Sequence, residues 1–191
     1  MAMSNRFRRK IGSVSLGFVL AGSLSLVGDV SGFTKDGSMA FTMQSQSFSP
    51  GAEIPAKFTC SGEDISPQLF WSEPPAGTAS FALIMKDPDA TSGDFTHWVV
   101  YQIPASAREL IEGASGGANL PKGTLQGRND FGRSGYGGPC PPPGKPHRYI
   151  FTLFALKTAL TLPAGASRSE VEKALPGHIA GQAELTGRFG R

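Results

Sequence analysis

Between Gly137 and Tyr149 the chain reads GGPCPPPGKPHRY, with prolines at 139, 141, 142, 143 and 146. Proline fixes φ and removes a backbone donor, so this stretch is neither a helix interior nor a central strand. It is a stiff loop. It runs without a break into HRYIFTLFAL (147–156), an apolar run with the aromatic and β-branched content of a buried strand. Long loops inside a domain are functional or disordered, and proline argues against disorder. Whatever the fold, it must place His147 at the mouth of a strand with a proline wall behind it.

The rest of the chain repeats this alternation of short strands and turn chemistry. SFALIMKD (80–87) and HWVVYQIP (97–104) read as buried strands. The stretch from Met39 to Phe48 alternates and reads as a strand, as does GQAELTGRFG (181–190). SEPPAG, DPDATSGD and EGASGGANLPKG between them are loops. One helix is expected. Ser167 with Glu170 three residues on makes a capping box before VEKAL, and Pro176-Gly177 stops it. A mainly β domain follows, with one short helix near the C-terminus, and a two-sheet architecture is the natural packing for so many short strands. The 191 residues are enough for one domain with its own core.

The first residues differ from this body. MAMSNRFRRK carries Arg6, Arg8, Arg9 and Lys10, and an apolar stretch runs on to Gly28. That is the pattern of a secretory signal peptide, residues 1–28 with the cut as late as 32, followed by a linker over 29–39. Glycines and serines break up the apolar stretch, which makes an N-terminal membrane anchor the weaker alternative. No cysteine lies near the cut, which excludes lipidation there. Without residues 1–28, Lys+Arg falls from 18 to 14 while Asp+Glu stays at 15, and the net charge moves from +3 to −1. The domain at 40–191 therefore has no electrostatic footprint for nucleic acid. Cys60 and Cys140 are the only cysteines. An even pair in an exported chain, periplasmic or secreted, suggests a disulfide, with two buried free thiols as the alternative.

Three polar residues stand at strand mouths: Asp87 where 80–87 ends, His97 and His147 where apolar strands begin. If those strands are neighbours, the three converge. Two imidazoles and a carboxylate suit a metal, but no local ligand pair supports one. They also suit an anion, with help from backbone donors of a glycine-rich loop such as FGRSGYGGP (131–139). GASGG (113–117) matches the nucleophile pattern G-x-S-x-G at Ser115, but loop follows it where a helix is needed. GRSGYGG lacks the Lys-Ser/Thr of a phosphate-binding P-loop.

The ordered set FTCSGEDISPQLFW (58–71), DPDA (87–90), HWVV (97–100), GRNDFG (127–132), GYGGPCPPPGKPHRY (135–149) and FTLFALKT resembles the phosphatidylethanolamine-binding protein family, in its bacterial Raf-kinase-inhibitor-like branch. The resemblance implies a mainly β fold, a sandwich of two antiparallel sheets with short helices, one near the C-terminus, and a small pocket for phosphate or a phosphorylated headgroup. It carries Asp87, His97, Gly138, Pro139, His147 and Tyr149 over as ligand-binding residues, with no catalytic residue, metal or cofactor. It places Cys60 and Cys140 beside one pocket, where a disulfide would pin the proline wall. His178 reads as structural. The alternatives are an inhibitor of a protease or kinase, as members of the family are described, and a metal-dependent enzyme built on Asp87, His97 and His147. The family's D-P-D-A-P has Thr91 in place of its last proline here. The physiological ligand and the oligomeric state are not legible.

Overall fold

The segment 81–85 is an unbroken apolar run because both of its faces are covered. In the computed structural model, which describes Met1 and residues 40–191, Phe81, Leu83 and Met85 enter one core, and Ala82 and Ile84 enter a second. The expected leader, the linker and Met39 lie outside the described residues. The elements are β1 (Met43–Gln44), β2 (Leu69–Trp71), β3 (Ser80–Asp87), β4 (Phe95–Pro104), β5 (Glu109–Leu110), β6 (Leu125–Gln126), β7 (His147–Leu156), α1 (Arg168–Ala174) and β8 (Ile179–Phe189). Short 3₁₀ turns lie at Ala56–Phe58 and Ala114–Gly116.

The strands form two antiparallel sheets, one in the order β1-β2-β5 and one in the order β6-β4-β3-β7-β8. Between them lies the larger core, to which Met43, Leu69, Trp71 and Leu110 contribute from the small sheet. Trp98, Val100, Tyr149, Phe151 and Leu153 contribute from the large one. The opposite face of the large sheet is covered by Val171 and Leu175 of the helical segment and by Leu160 and Ala166. Helix α1 starts as its sequence dictates. The Ser167 hydroxyl accepts from Glu170 N, and the Glu170 carboxylate accepts from Ser167 N at 2.8 Å.

Strands β3 and β7 have the expected limits. Strand β4 starts two residues earlier than expected, at Phe95. The first expected strand shrinks to Met43–Gln44 because Ser45 turns to local bonding. Its hydroxyl donates to the Gln68 carbonyl and accepts from Ser47 N, which takes the backbone out of the ladder. Strands β2, β5 and β6, each two or three residues long, were not expected. They are too short to show a period.

Two irregularities in β4 matter. Opposite β3 the pairing runs Met85↔Trp98 and then Lys86↔Thr96, so His97 is an extra residue, a bulge. A second lies between Val100 and Ile103, where Gln102 takes φ 57°. A bulge re-aims a side chain, and the first one does so at a candidate site residue.

Candidate functional site

The inner row of β3 reads Phe81, Leu83, Met85, Asp87, and that of β7 reads His147, Tyr149, Phe151, Leu153. The strands are antiparallel with Met85 opposite Phe151, so the two polar residues lie at the same end. There His147 Nδ1 donates to Asp87 Oδ2 at 2.7 Å. The pair is largely shielded from water, with side chains 12% and 4% exposed. The other oxygen of Asp87 accepts from Asp89 N at 2.8 Å. Asp89 in turn grips Arg148: its Oδ2 accepts from the backbone N and from Nε, both at 2.9 Å, and its Oδ1 from Nη2 at 2.7 Å. The two acids of DPDA thus hold consecutive residues of β7. Arg148's hydrogen bonds hold the Asp89 carboxyl down at about 2.

His97 is held differently. The residue is 2% exposed, and its ring meets Tyr149 edge-on at 5.1 Å and Phe131 at 5.4 Å between centroids. Its Nδ1 donates to the Gly137 carbonyl at 2.6 Å. A carbonyl only accepts, so Nδ1 carries the hydrogen. Burial pushes the imidazole below its usual range, against the opposing pull of the Gly137 bond. The ring is therefore neutral near pH 7, with a bare Nε2. In both histidines Nδ1 is taken by the protein and Nε2 is the nitrogen left for a ligand.

Asp87, His97 and His147 line one cleft of about 240 Å³, whose walls include Phe95, Phe131 and the segment Cys140–Pro142. That is smaller than the roughly 300–1,000 Å³ of a drug-sized pocket. The proline wall is stitched to the segment after the Ala56–Phe58 turn. Cys60 and Cys140 form a disulfide with Cα atoms 5.4 Å apart, and neither is a free thiol. Cys60 N donates to the Pro139 carbonyl at 3.1 Å, and the Tyr136 hydroxyl to the Phe58 carbonyl at 2.7 Å. Arg191 Nε donates to the Pro141 carbonyl at 2.7 Å.

Of the residues carried over by resemblance, three line the cleft and three stand behind it. The Gly138 amide donates to Asp64 Oδ1 at 2.6 Å, so it is spent on the scaffold. A Cβ there would fall 2.5 Å from the Phe58 carbonyl oxygen, which explains the glycine. The Pro139 carbonyl is taken by Cys60. Tyr149 is wholly buried under His97, and its hydroxyl has no hydrogen-bond partner among the described residues. Burial first, and then the Asp87 carboxylate, push that hydroxyl's pKa well up.

Residue-by-residue reading missed Phe95, Phe131, Asp64 and Asn129. Asn129 is buried, donates to the Gly135 carbonyl at 2.9 Å and accepts from Phe131 N and Arg133 N, which folds the loop that presents Phe131. The signal was present in GRNDFG, since Asn followed by Gly within a few residues marks a turn with side-chain bonding. Ser115 lies in the Ala114–Gly116 turn, where no helix follows it. His178 bonds Thr158 through Nδ1 at 2.7 Å and does not line the cleft. Among the described residues, no group of three or more His, Cys, Asp or Glu side chains is arranged to hold a metal ion.

Comparison with known proteins agrees with this geometry. The sequence profile described as phosphatidylethanolamine-binding protein matches residues 44–190. A protein of Aquifex aeolicus named UPF0098 is 53% identical over 154 residues, 77% of this chain and 86% of its own. A candidate lipoprotein of Mycobacterium tuberculosis, LppC, is 42% identical over 151 residues, 78% of this chain and 71% of its own. The crystal structure of Escherichia coli YbcL, described as a new member of the mammalian family, superposes with a TM-score of 0.75 at 38% identity, covering 79% of this chain and 98% of its own.

Proposed function

The chain belongs to the phosphatidylethanolamine-binding protein family, and from that premise we propose that it is a non-enzymatic binding protein for a small phosphoryl ligand, free or as a headgroup. One observation carries the reading: two imidazoles, each anchored through Nδ1, line the same small cleft beside a buried carboxylate.

The two rings do different work. As an imidazolium, with Nδ1 held by the Asp87 carboxylate, His147 presents an N–H at Nε2. It then donates a charge-assisted hydrogen bond to a ligand oxygen. His97, neutral and bare at Nε2, accepts from a P–OH group. A phosphomonoester, with its second pKa near 6, carries such a proton mainly below about pH 6 and in a minor fraction at pH 7. The pair thus suits a hydrogen-phosphate better than a fully ionised one. Asp87 repels a fully ionised ligand and sharpens this preference.

The same arrangement supports binding without turnover. Thr91 and Ser92 line the cleft, yet neither is hydrogen-bonded to an imidazole, and Cys140 is held in its disulfide. Among the described residues that line the cleft, no activated nucleophile stands ready. The disulfide and the mycobacterial candidate lipoprotein support a place outside the reducing cytosol, as an exported protein.

The test is calorimetric titration with inorganic phosphate and phosphoethanolamine. His147→Ala is expected to lower affinity by roughly one to two decades, the loss of one charge-assisted bond, while the protein still melts cooperatively. Wild-type affinity in the folded variant would overturn the assignment of the cleft.

A further inference from the structure

Outside the cleft, strands β7 and β8 set two arginines face to face. Arg148 and Arg188 are direct cross-strand partners, and both are exposed. Like charges directly opposite on a sheet repel. Arg148 is relieved by Asp89, but Arg188 has no acid within ion-pair distance among the described residues, and neither has Lys145. Lys145, Arg148 and Arg188 line one groove of about 440 Å³ together with Asp89 and His147. Its neighbour, lined by Arg188 and Pro146, adds Glu53 as the only further acid. The surplus of cation is local, since residues 29–191 carry 14 Lys and Arg against 15 Asp and Glu. His147 belongs to this groove and to the cleft at once.

We propose that Lys145, Arg148 and Arg188 form a second anion subsite adjoining the cleft, so that the favoured ligand carries two phosphoryl groups, one seated at His97 and His147 and one in the groove. The inference rests on the cleft as a phosphoryl site and adds the class of ligand. A single phosphate in the cleft leaves Arg188 and Lys145 without a counter-charge. A second anionic group joined to the first reaches the groove at high effective concentration and relieves the repulsion. Because the groove is exposed, its share of binding weakens with salt, whereas the shielded cleft is screened less.

The chemistry is shared by soluble bisphosphates and by a lipid with two phosphates, and two arms separate them. In the first, the intact exported domain is titrated with inorganic phosphate and with a series of alkane bisphosphates of increasing linker length. In the second, it is sedimented with phosphatidylcholine vesicles with and without cardiolipin. In one arm or the other, the two-phosphate probe is expected to bind about tenfold or more tightly than the single-phosphate control, the gain of one charge-assisted contact. The exposed double variant K145Q/R188Q is expected to erase most of that advantage, lowering two-phosphate affinity several-fold more than phosphate affinity. Equal binding of one- and two-phosphate probes overturns the subsite and leaves the cleft standing. An advantage that survives in K145Q/R188Q also overturns the subsite. Failure of wild-type protein to bind any of the probes overturns the cleft and the subsite together.

Discussion

The two faces of the large sheet are made by the same strands and end differently. On the helix-covered face, Ala82, Ile84, Val99 and Tyr101 pack under Val171 and Leu175. At the end of the sheet where the cleft lies, that side closes with exposed ion pairs, Lys86 with Asp94 and Arg148 with Asp89. On the sandwich face the rows of Phe81, Leu83, Met85 and of Tyr149, Phe151, Leu153 run into the shielded Asp87–His147 pair, with the bulged His97 beside it. Water solvates the first kind of ending and excludes itself from the second. A charged group at an exposed end contributes little to stability. At a shielded end it must find a partner, and the partner's orientation is then fixed. Period-two alternation thus separates a face that only packs from a face that packs and also lines the cleft.

The largest break in this comparison is covalent. The disulfide spans a sequence separation of 80 and clamps only the sandwich-face wall. Replacing both cysteines with serine is expected to lower stability by about 4–5 kcal/mol in the chain-entropy account, read as a shift of the denaturant midpoint. An unchanged midpoint would mean that the wall is held by its hydrogen bonds and prolines alone. Next is Asp87→Asn, which removes the carboxylate from a buried pair. A loss of roughly 1.5–3 kcal/mol is expected, with phosphate affinity falling alongside. If stability falls and affinity does not, Asp87 serves the fold only.

The helix face supplies the control. Ser167→Ala removes a capping-box hydroxyl. It is expected to cost about 1 kcal/mol and to leave phosphate titration as it was. A change in affinity would show that the two faces are coupled through β4. The smallest effect is that of pH. The folded His97 imidazole lies below its usual range because of burial, so the unfolded chain binds that proton more tightly. Its contribution to stability is complete above about pH 6.5 and declines as pH falls from there toward the folded value. Chemical denaturation between pH 7 and 5 should show this decline, and His97→Gln should flatten it. An equal slope in the variant would assign the pH dependence to another group.

Much of this was legible without coordinates. Ser80–Asp87 and His147–Leu156 are long apolar runs whose limits coincide with β3 and β7, and Ser167 with Glu170 announced α1. Such signals are local, carried by periodicity, capping and proline. The polar strand ends were visible for the same reason, since Asp87, His97 and His147 each interrupt an apolar pattern. Strands β2, β5 and β6 were not legible, because two or three residues have no period, and only the partner strand makes them strands.

What the sequence determined by itself was a mainly β domain, the helix, a rigid wall before β7, and the three polar residues at strand mouths. The tertiary structure decided which of them meet. Antiparallel register put Asp87 beside His147 rather than a strand's length away, and one extra residue in β4 turned His97 onto Tyr149. It also moved Gly138 and Pro139 from the cleft to its backing, through contacts with Asp64 and Cys60 some seventy to eighty residues earlier in the chain, and set Tyr149 beneath His97. It set Arg148 opposite Arg188 as well. Register, bulges and close backbone approach arise between segments far apart in sequence, so no single segment's composition carries them.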